Sequence, residues 1–144
     1  MKALKQKVLV YLTRETPAGV DLLVFEHKDI PSAGIQVPAG TVDANEDLVF
    51  SARREILEES GLDLSCDFKF VGSYNYHRKD IDEHQMRNVF HVDGMGNLPE
   101  SWEHTVGGSG EDEHLVFRFY WIPLVDAEKA LAGEQGRYLE FIYL

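Results

Sequence analysis

No glycine or proline interrupts residues 46–60, and inside that run Glu55, Glu58 and Glu59 stand at i, i+3 and i+4. On a helix turning about 100° per residue, this spacing puts three carboxylates on one face. Leu48, Val49, Ala52 and Ile56 form an apolar stripe beside them, suited to docking on a sheet. The segment therefore predicts an amphipathic helix over 46–60 with Gly61 as its C-terminal stop. Asn45 is the expected N-cap, with Glu46 and Asp47 in the first turn.

Three carboxylates held together repel one another unless solvent or a cation neutralises them. Hard oxygen donors suit Mg²⁺ or Mn²⁺, whereas Zn²⁺ favours imidazole and thiolate. Arg54, next in sequence to the first carboxylate, is a permanent cation able to orient an acid. Glu46 is its candidate partner, although an ideal helix sets the two about 80° apart, so the first turn must bend. Gly40, in the turn Pro38-Ala39-Gly40, leaves its carbonyl open to a metal with no side chain in the way.

The rest of the chain reads as strands and helices interspersed. Residues 7–12 and 20–25 predict two strands joined by the turn around Pro17-Ala18-Gly19, and 35–37 a short strand stopped by Pro38. Residues 68–76, 86–92 and 115–122 predict further strands, and 126–131 begins a C-terminal helix broken near Gly133 and Gly136, followed by an apolar piece from Tyr138. A mixed sheet with helices packed on it follows, in one domain over residues 1–144. Between them, residues 93–114 hold six carboxylates and five glycines with no Lys or Arg, and read as a long loop. Connections of that length are often functional.

Composition narrows the function. A net charge of −11, from 25 acidic and 14 basic residues, excludes a groove that tracks long nucleic acid. A small phosphorylated substrate remains compatible if a divalent cation stands between it and the enzyme. The early apolar run ends at Arg14-Glu15, too soon for a membrane span or a signal-peptide core. Cys66 is the sole cysteine, which precludes an intrachain disulfide and fits a reducing cytoplasm, the expected location. No motif surrounds it, so it reads as an inert packed thiol.

His77, His84 and His91 recur every seven residues. On strands a seven-residue step alternates faces, which predicts that they do not share a metal. Arg87, with Arg78 and Lys79, flanks a strand pair and is a candidate contact for substrate phosphate. Tyr74, Tyr76, Phe90, Trp102 and Trp121 are candidates for stacking on a base, with core packing as the default.

The full spacing, Gly40 to Glu46 and then Arg54-Glu55-Ile56-Leu57-Glu58-Glu59-Ser60-Gly61-Leu62, matches G-x5-E-x7-R-E-U-x-E-E-x-G-U at all nine specified positions. By average residue frequencies a chance match in such a chain is about one in ten million. The pattern is the Nudix box, and the chain resembles the Nudix hydrolase family. Gln36-Val37-Pro38-Ala39 ahead of the helix and Trp121 to Leu124 late in the chain extend the likeness over most of residues 8–131. Ala39 departs from the second glycine that many members carry.

The resemblance implies an α/β/α sandwich around a mixed β-sheet. It also implies water attack on a phosphorus of a nucleoside diphosphate derivative, with Mg²⁺ (or Mn²⁺) as cofactor. By the same resemblance Glu58, Glu59 and the Gly40 carbonyl ligate the metal, Glu55 is a ligand or the general base, and Arg54 pairs with Glu46. A carboxylate from outside the box is common in such enzymes; Glu111 and Glu113, at the end of the 93–114 loop, are the candidates for substrate or a second metal.

The substrate stays open among a nucleoside triphosphate, a dinucleoside polyphosphate and a nucleotide sugar, and a homodimer is compatible with the sequence. One alternative is a non-catalytic Nudix-like nucleotide-sensing or interaction module, which loss of box carboxylates would mark; here all are present. An isoprenoid diphosphate isomerase shares the fold but needs a reactive cysteine, which Cys66 matches poorly.

Overall fold

A computed structural model describes residues 4–108 and 113–142. Seven strands make one sheet: β1 (Leu4–Thr16), β2 (Gly19–His27), β3 (Ala39–Thr41), β4 (Lys69–Arg78), β5 (Glu83–Val92), β6 (Ser101–Thr105) and β7 (Val116–Pro123). Two helices, α1 (Leu48–Ser60) and α2 (Leu124–Ala130), pack on it. The main order is β4-β5-β1-β2-β7-β6, with β3 added to β1. β1 runs parallel to β5, and every other ladder between strands is antiparallel, so the sheet is mixed as expected.

The long first strand organises the molecule. Its first nine residues, Leu4 to Leu12, pair with β5 along one edge. Along the other edge Thr13 to Thr16 pair with β2, while Lys7 to Leu9 pair with β3. Between these, Val10 N–H donates to the Pro38 carbonyl, and Gln36 exchanges both backbone bonds with Phe25. The segment 36–41 thus wedges into a fork between β1 and β2. That fork delivers Gly40 to the helix. The short strand expected at 35–37 is displaced: Ile35 and Gln36 make isolated bridges only, and the ladder forms at Ala39–Thr41.

Alternation along β1 divides the core. Val8, Val10 and Leu12 face α1 and join Ala52, Ile56, Phe25, Phe117 and Phe119. Leu9 and Tyr11 face the other way, with Val24, Leu124, Ala127 and Leu139. A strand covered on both faces must be apolar at consecutive positions, the run that Val8-Leu9-Val10-Tyr11-Leu12 supplies. These two layers over one sheet are the expected α/β/α sandwich. Among the described residues no helix is long and apolar enough to cross a membrane.

Two expectations change. The helix starts at Leu48, with Asp47 as N-cap accepting from Phe50 N–H, because Asn45 takes a left-handed φ of 64° that no helix can contain. Gly61 closes it at φ 80°, its N–H donating to the Leu57 carbonyl. Second, the expected loop over 93–114 contains an edge strand, β6. Trp102 on β6 stacks on Phe119 at 5.1 Å and donates from Nε1 to the Ser60 carbonyl, which ties the strand to the end of α1. The alternating Ser-Trp-Glu-His-Thr pattern carried this signal, but it is short and its neighbour β7 lies later in the chain.

Candidate functional site

The carboxylates of α1 open onto a cleft of about 610 Å³, lined also by β3, the N-terminal part of β1 and residues 106–108. Glu55, Glu58 and Glu59 all line it, with Gly40 and Arg54. Five carboxylates (Asp43, Glu55, Glu58, Glu59, Glu113) face two cations there, Lys7 and Arg54.

Arg54 is the hub. Its Nε and Nη2 grip both oxygens of Glu46 at 2.8 and 2.9 Å, and Nη2 also donates to the Thr41 carbonyl. Its Nη1 reaches Glu55 at 2.9 Å and both oxygens of Glu58 at 3.4 Å. Glu46 precedes the helix, so no bend in the first turn is needed; the chain folds back and brings its carboxylate across the helix. That carboxylate also accepts from Asp43 N–H and from Ser51 Oγ. The bidentate bond to Arg54, helped by the one from Ser51, holds Glu46 down at about 2.

Glu55 behaves in the opposite way. Burial pushes its carboxyl up to about 7, and Glu58 adds to the push against the pull of Arg54. Glu59 is buried, with its Oε1 accepting from Ala39 N–H at 3.0 Å. The departure at position 39 therefore still supplies a backbone donor to the helix carboxylate. Position 40 admits no side chain: a Cβ there would lie 1.9 Å from the Glu55 carboxyl carbon.

The structure adds three participants that the spacing along the helix did not show. Lys7 on β1 donates to Thr41 Oγ1 at 2.7 Å and brings an ammonium to the cleft. Gly107 N–H donates to the Glu58 carbonyl, and at Gly108 a Cβ would lie 2.6 Å from the Glu58 carboxyl carbon. A tight backbone approach thus forms the wall opposite α1. Lys7 carried a signal only in being a charge at the edge of an apolar strand; the glycines read as ordinary loop residues.

Of the candidates outside the helix, Glu113 lines the cleft, with His114 Nε2 3.2 Å from its Oε1. Glu111 falls outside the described residues. Arg87 is placed elsewhere. It is buried, stacks on Tyr76 at 3.7 Å, and donates to Gln85, Tyr74 and the Gly133 carbonyl. Its guanidinium ties β5 to the segment after α2 and does not line the carboxylate cleft, so the cleft does not bring it to the candidate metal ligands. Glu100 pairs with Arg14, and Glu103 with Lys28 and Arg118, all on the surface.

The donor set fits a hard divalent cation: carboxylates converge beside a backbone stripped of its side chain at position 40, and among the described residues no imidazole or thiol lines the cleft.

A family model and solved structures match nearly the full length of the chain. The family model described as the NUDIX domain matches residues 3–142. Similar solved structures include a MutT NUDIX hydrolase from Burkholderia pseudomallei, at 20% identity over 99% of this chain and 100% of that one, with a TM-score of 0.73. The NUDIX domain of NrtR from Shewanella oneidensis, complexed with ADP ribose, is 15% identical over 98% and 87%, TM-score 0.69. A C. elegans Ap4A hydrolase is 20% identical over 95% and 93%, TM-score 0.62. At these identities the structures speak to the fold. No curated protein matches the sequence.

Proposed function

The chain belongs to the NUDIX domain family, and on that premise we propose that it is a metal-dependent pyrophosphohydrolase. It cleaves the diphosphate linkage of a nucleoside diphosphate derivative by attack of water at phosphorus. The observation that carries this reading is the convergence of Glu55, Glu58 and Glu59 with the bare backbone at Gly40 in one cleft.

Glu58, Glu59 and the Gly40 carbonyl would hold Mg²⁺ or Mn²⁺, with Glu55 as a further ligand or as base. When bound, such an ion supplies charge neutralisation at the phosphoryl oxygens and acidification of water. Glu55, which burial and Glu58 push up in the metal-free cleft, is the carboxylate placed to take the proton of the attacking water. The water oxygen forms the new bond to phosphorus, the bridging P–O bond breaks, and the departing phosphate leaves with that electron pair. Arg54 holds Glu55 and Glu58 in register while Glu46 and the Thr41 carbonyl fix Arg54. Lys7 offers the cleft a cation for the negative charge on a substrate phosphate. Glu113, which lines the cleft, is the candidate outside carboxylate.

The substrate is a nucleoside triphosphate, a dinucleoside polyphosphate or a nucleotide sugar. A panel of these, assayed for phosphate, pyrophosphate and nucleoside monophosphate release with Mg²⁺ or Mn²⁺, tests the proposal. Turnover of one class that ceases on chelation is expected. Nucleotide binding without turnover on any member would instead mark a sensing module.

A further inference from the structure

The β4–β5 hairpin reverses the expectation drawn from its histidines. A seven-residue step along one extended strand changes face, but the turn between His77 and His84 folds the chain back. The two become direct cross-strand partners. Their rings stack at 4.2 Å with an interplanar angle of 3°. Asp82, in the turn at a left-handed φ of 49°, sets its Oδ1 2.7 Å from His77 Nε2. One ligand atom from each of the three lies within 4.8 Å of the others, and among the described residues this is the one such group of three. His91, at the far end of β5, bonds to Thr13 instead.

We propose that His77, Asp82 and His84 form a second metal site, for a borderline divalent ion such as Zn²⁺, separate from the carboxylate cleft. Two imidazoles and one carboxylate are a donor set that Zn²⁺ takes and Mg²⁺ does not. In a tetrahedral site with bonds near 2 Å, ligand atoms stand about 3.3 Å apart. Closing from the observed spacing, and turning the stacked rings so that their lone pairs converge, needs only side-chain rotation at an exposed hairpin tip. Arg78 and Glu83, the next pair along the ladder, point to the other face, where Arg78 meets Asp80 and Glu83 meets Lys5. Water completes the coordination. The ion would clip β4 to β5 at the end of the hairpin whose inner part carries Tyr74, Tyr76 and Arg87.

The competing account is a plain histidine stack with one surface ion pair, and the two differ in solution. Zn²⁺ is titrated into the wild-type protein in saturating Mg²⁺, by calorimetry and by NMR of the histidine side chains. One equivalent is expected to bind, shifting the resonances of His77 and His84 and leaving those of His27 and His104 in place. His84→Ala and Asp82→Asn should each weaken that equivalent by about tenfold or more. Hydrolysis in Mg²⁺ alone should be unchanged in both. Zn²⁺ binding of equal strength in wild type and His84→Ala overturns the site, as does Zn²⁺ that shifts neither histidine. Should a variant fail to fold, the wild-type histidine spectrum decides by itself.

Discussion

On α1, three carboxylates share one face and one cleft, and two of them, Glu55 and Glu58, share Arg54; between β5 and β7, an equally acidic stretch scatters its carboxylates. Glu100 goes to Arg14, Glu103 to Lys28 and Arg118, and Glu113 to the cleft. Charge density is therefore a poor guide to function on its own. What separates the regions is the frame that carries the charges. A helix sets the direction of each side chain by its own hydrogen bonds, so repulsion along one face is built in and calls for a cation. A strand at the sheet edge points alternate residues outward, and each acid finds whichever base the next strands present.

The contrast breaks most sharply at Glu58. Glu58→Gln keeps size and helix propensity but removes a charge, and turnover should fall by at least about a hundredfold with helix content unchanged. Near-normal turnover with metal present would place the site elsewhere.

Arg54→Ala comes next. It leaves Glu46 and Glu55 without their common partner in a cleft rim that is only partly solvated. A loss of stability of about 2–4 kcal/mol is expected, together with loss of turnover by more than about tenfold. Arg54→Lys should recover less than half of the lost melting temperature, since an ammonium cannot grip both Glu46 oxygens. Equal melting temperatures for Arg54→Lys and wild type would reduce the hub to a point charge.

Glu113→Gln tests whether the acidic stretch contributes anything to the cleft. Turnover should fall by more than about tenfold with little change in melting temperature. Glu100→Gln and Glu103→Gln, whose partners are surface cations, should leave turnover at the wild-type level. If all three behave alike, the stretch is only a connection.

The smallest effect is in pH. Glu55, raised from 4.5 to about 7 in the fold, holds its proton more tightly folded than unfolded. In chelator its contribution is present below pH 4.5 and is lost as pH rises through 7, so stability should decline across that window. Glu46, lowered from 4.5 to about 2, contributes above 4.5 and loses that contribution as pH falls toward 2. Glu55→Gln should flatten the first slope and leave the second, as measured by melting temperature from pH 3 to 8. A first slope that survives in Glu55→Gln belongs to another group.

Much of the site was legible because its geometry is local. The step from Glu55 to Glu58 and Glu59, the glycine stop at 61 and the apolar stripe need only helical geometry. The partnership of Glu46 with Arg54 was legible as a pair but not as a path, since it depends on Asn45 turning left-handed and Asp47 capping the helix. Lys7, Gly107 and Gly108 were not legible as site residues. Their places depend on the fork in β1 and on β6 docking by Trp102 beneath the end of α1.

By itself the sequence determined the carboxylate face of α1, the Nudix box and the apolar run of the first strand, all set by spacing within a few turns or a few strand residues. Only the tertiary structure decided which acids of the 93–114 segment reach the cleft, why Arg87 is locked under Tyr76, and that His77 meets His84. Each of those outcomes depends on which strand lies beside which, and pairing across a sheet is settled by burial and register over the whole molecule, at sequence separations where no local spacing carries the information.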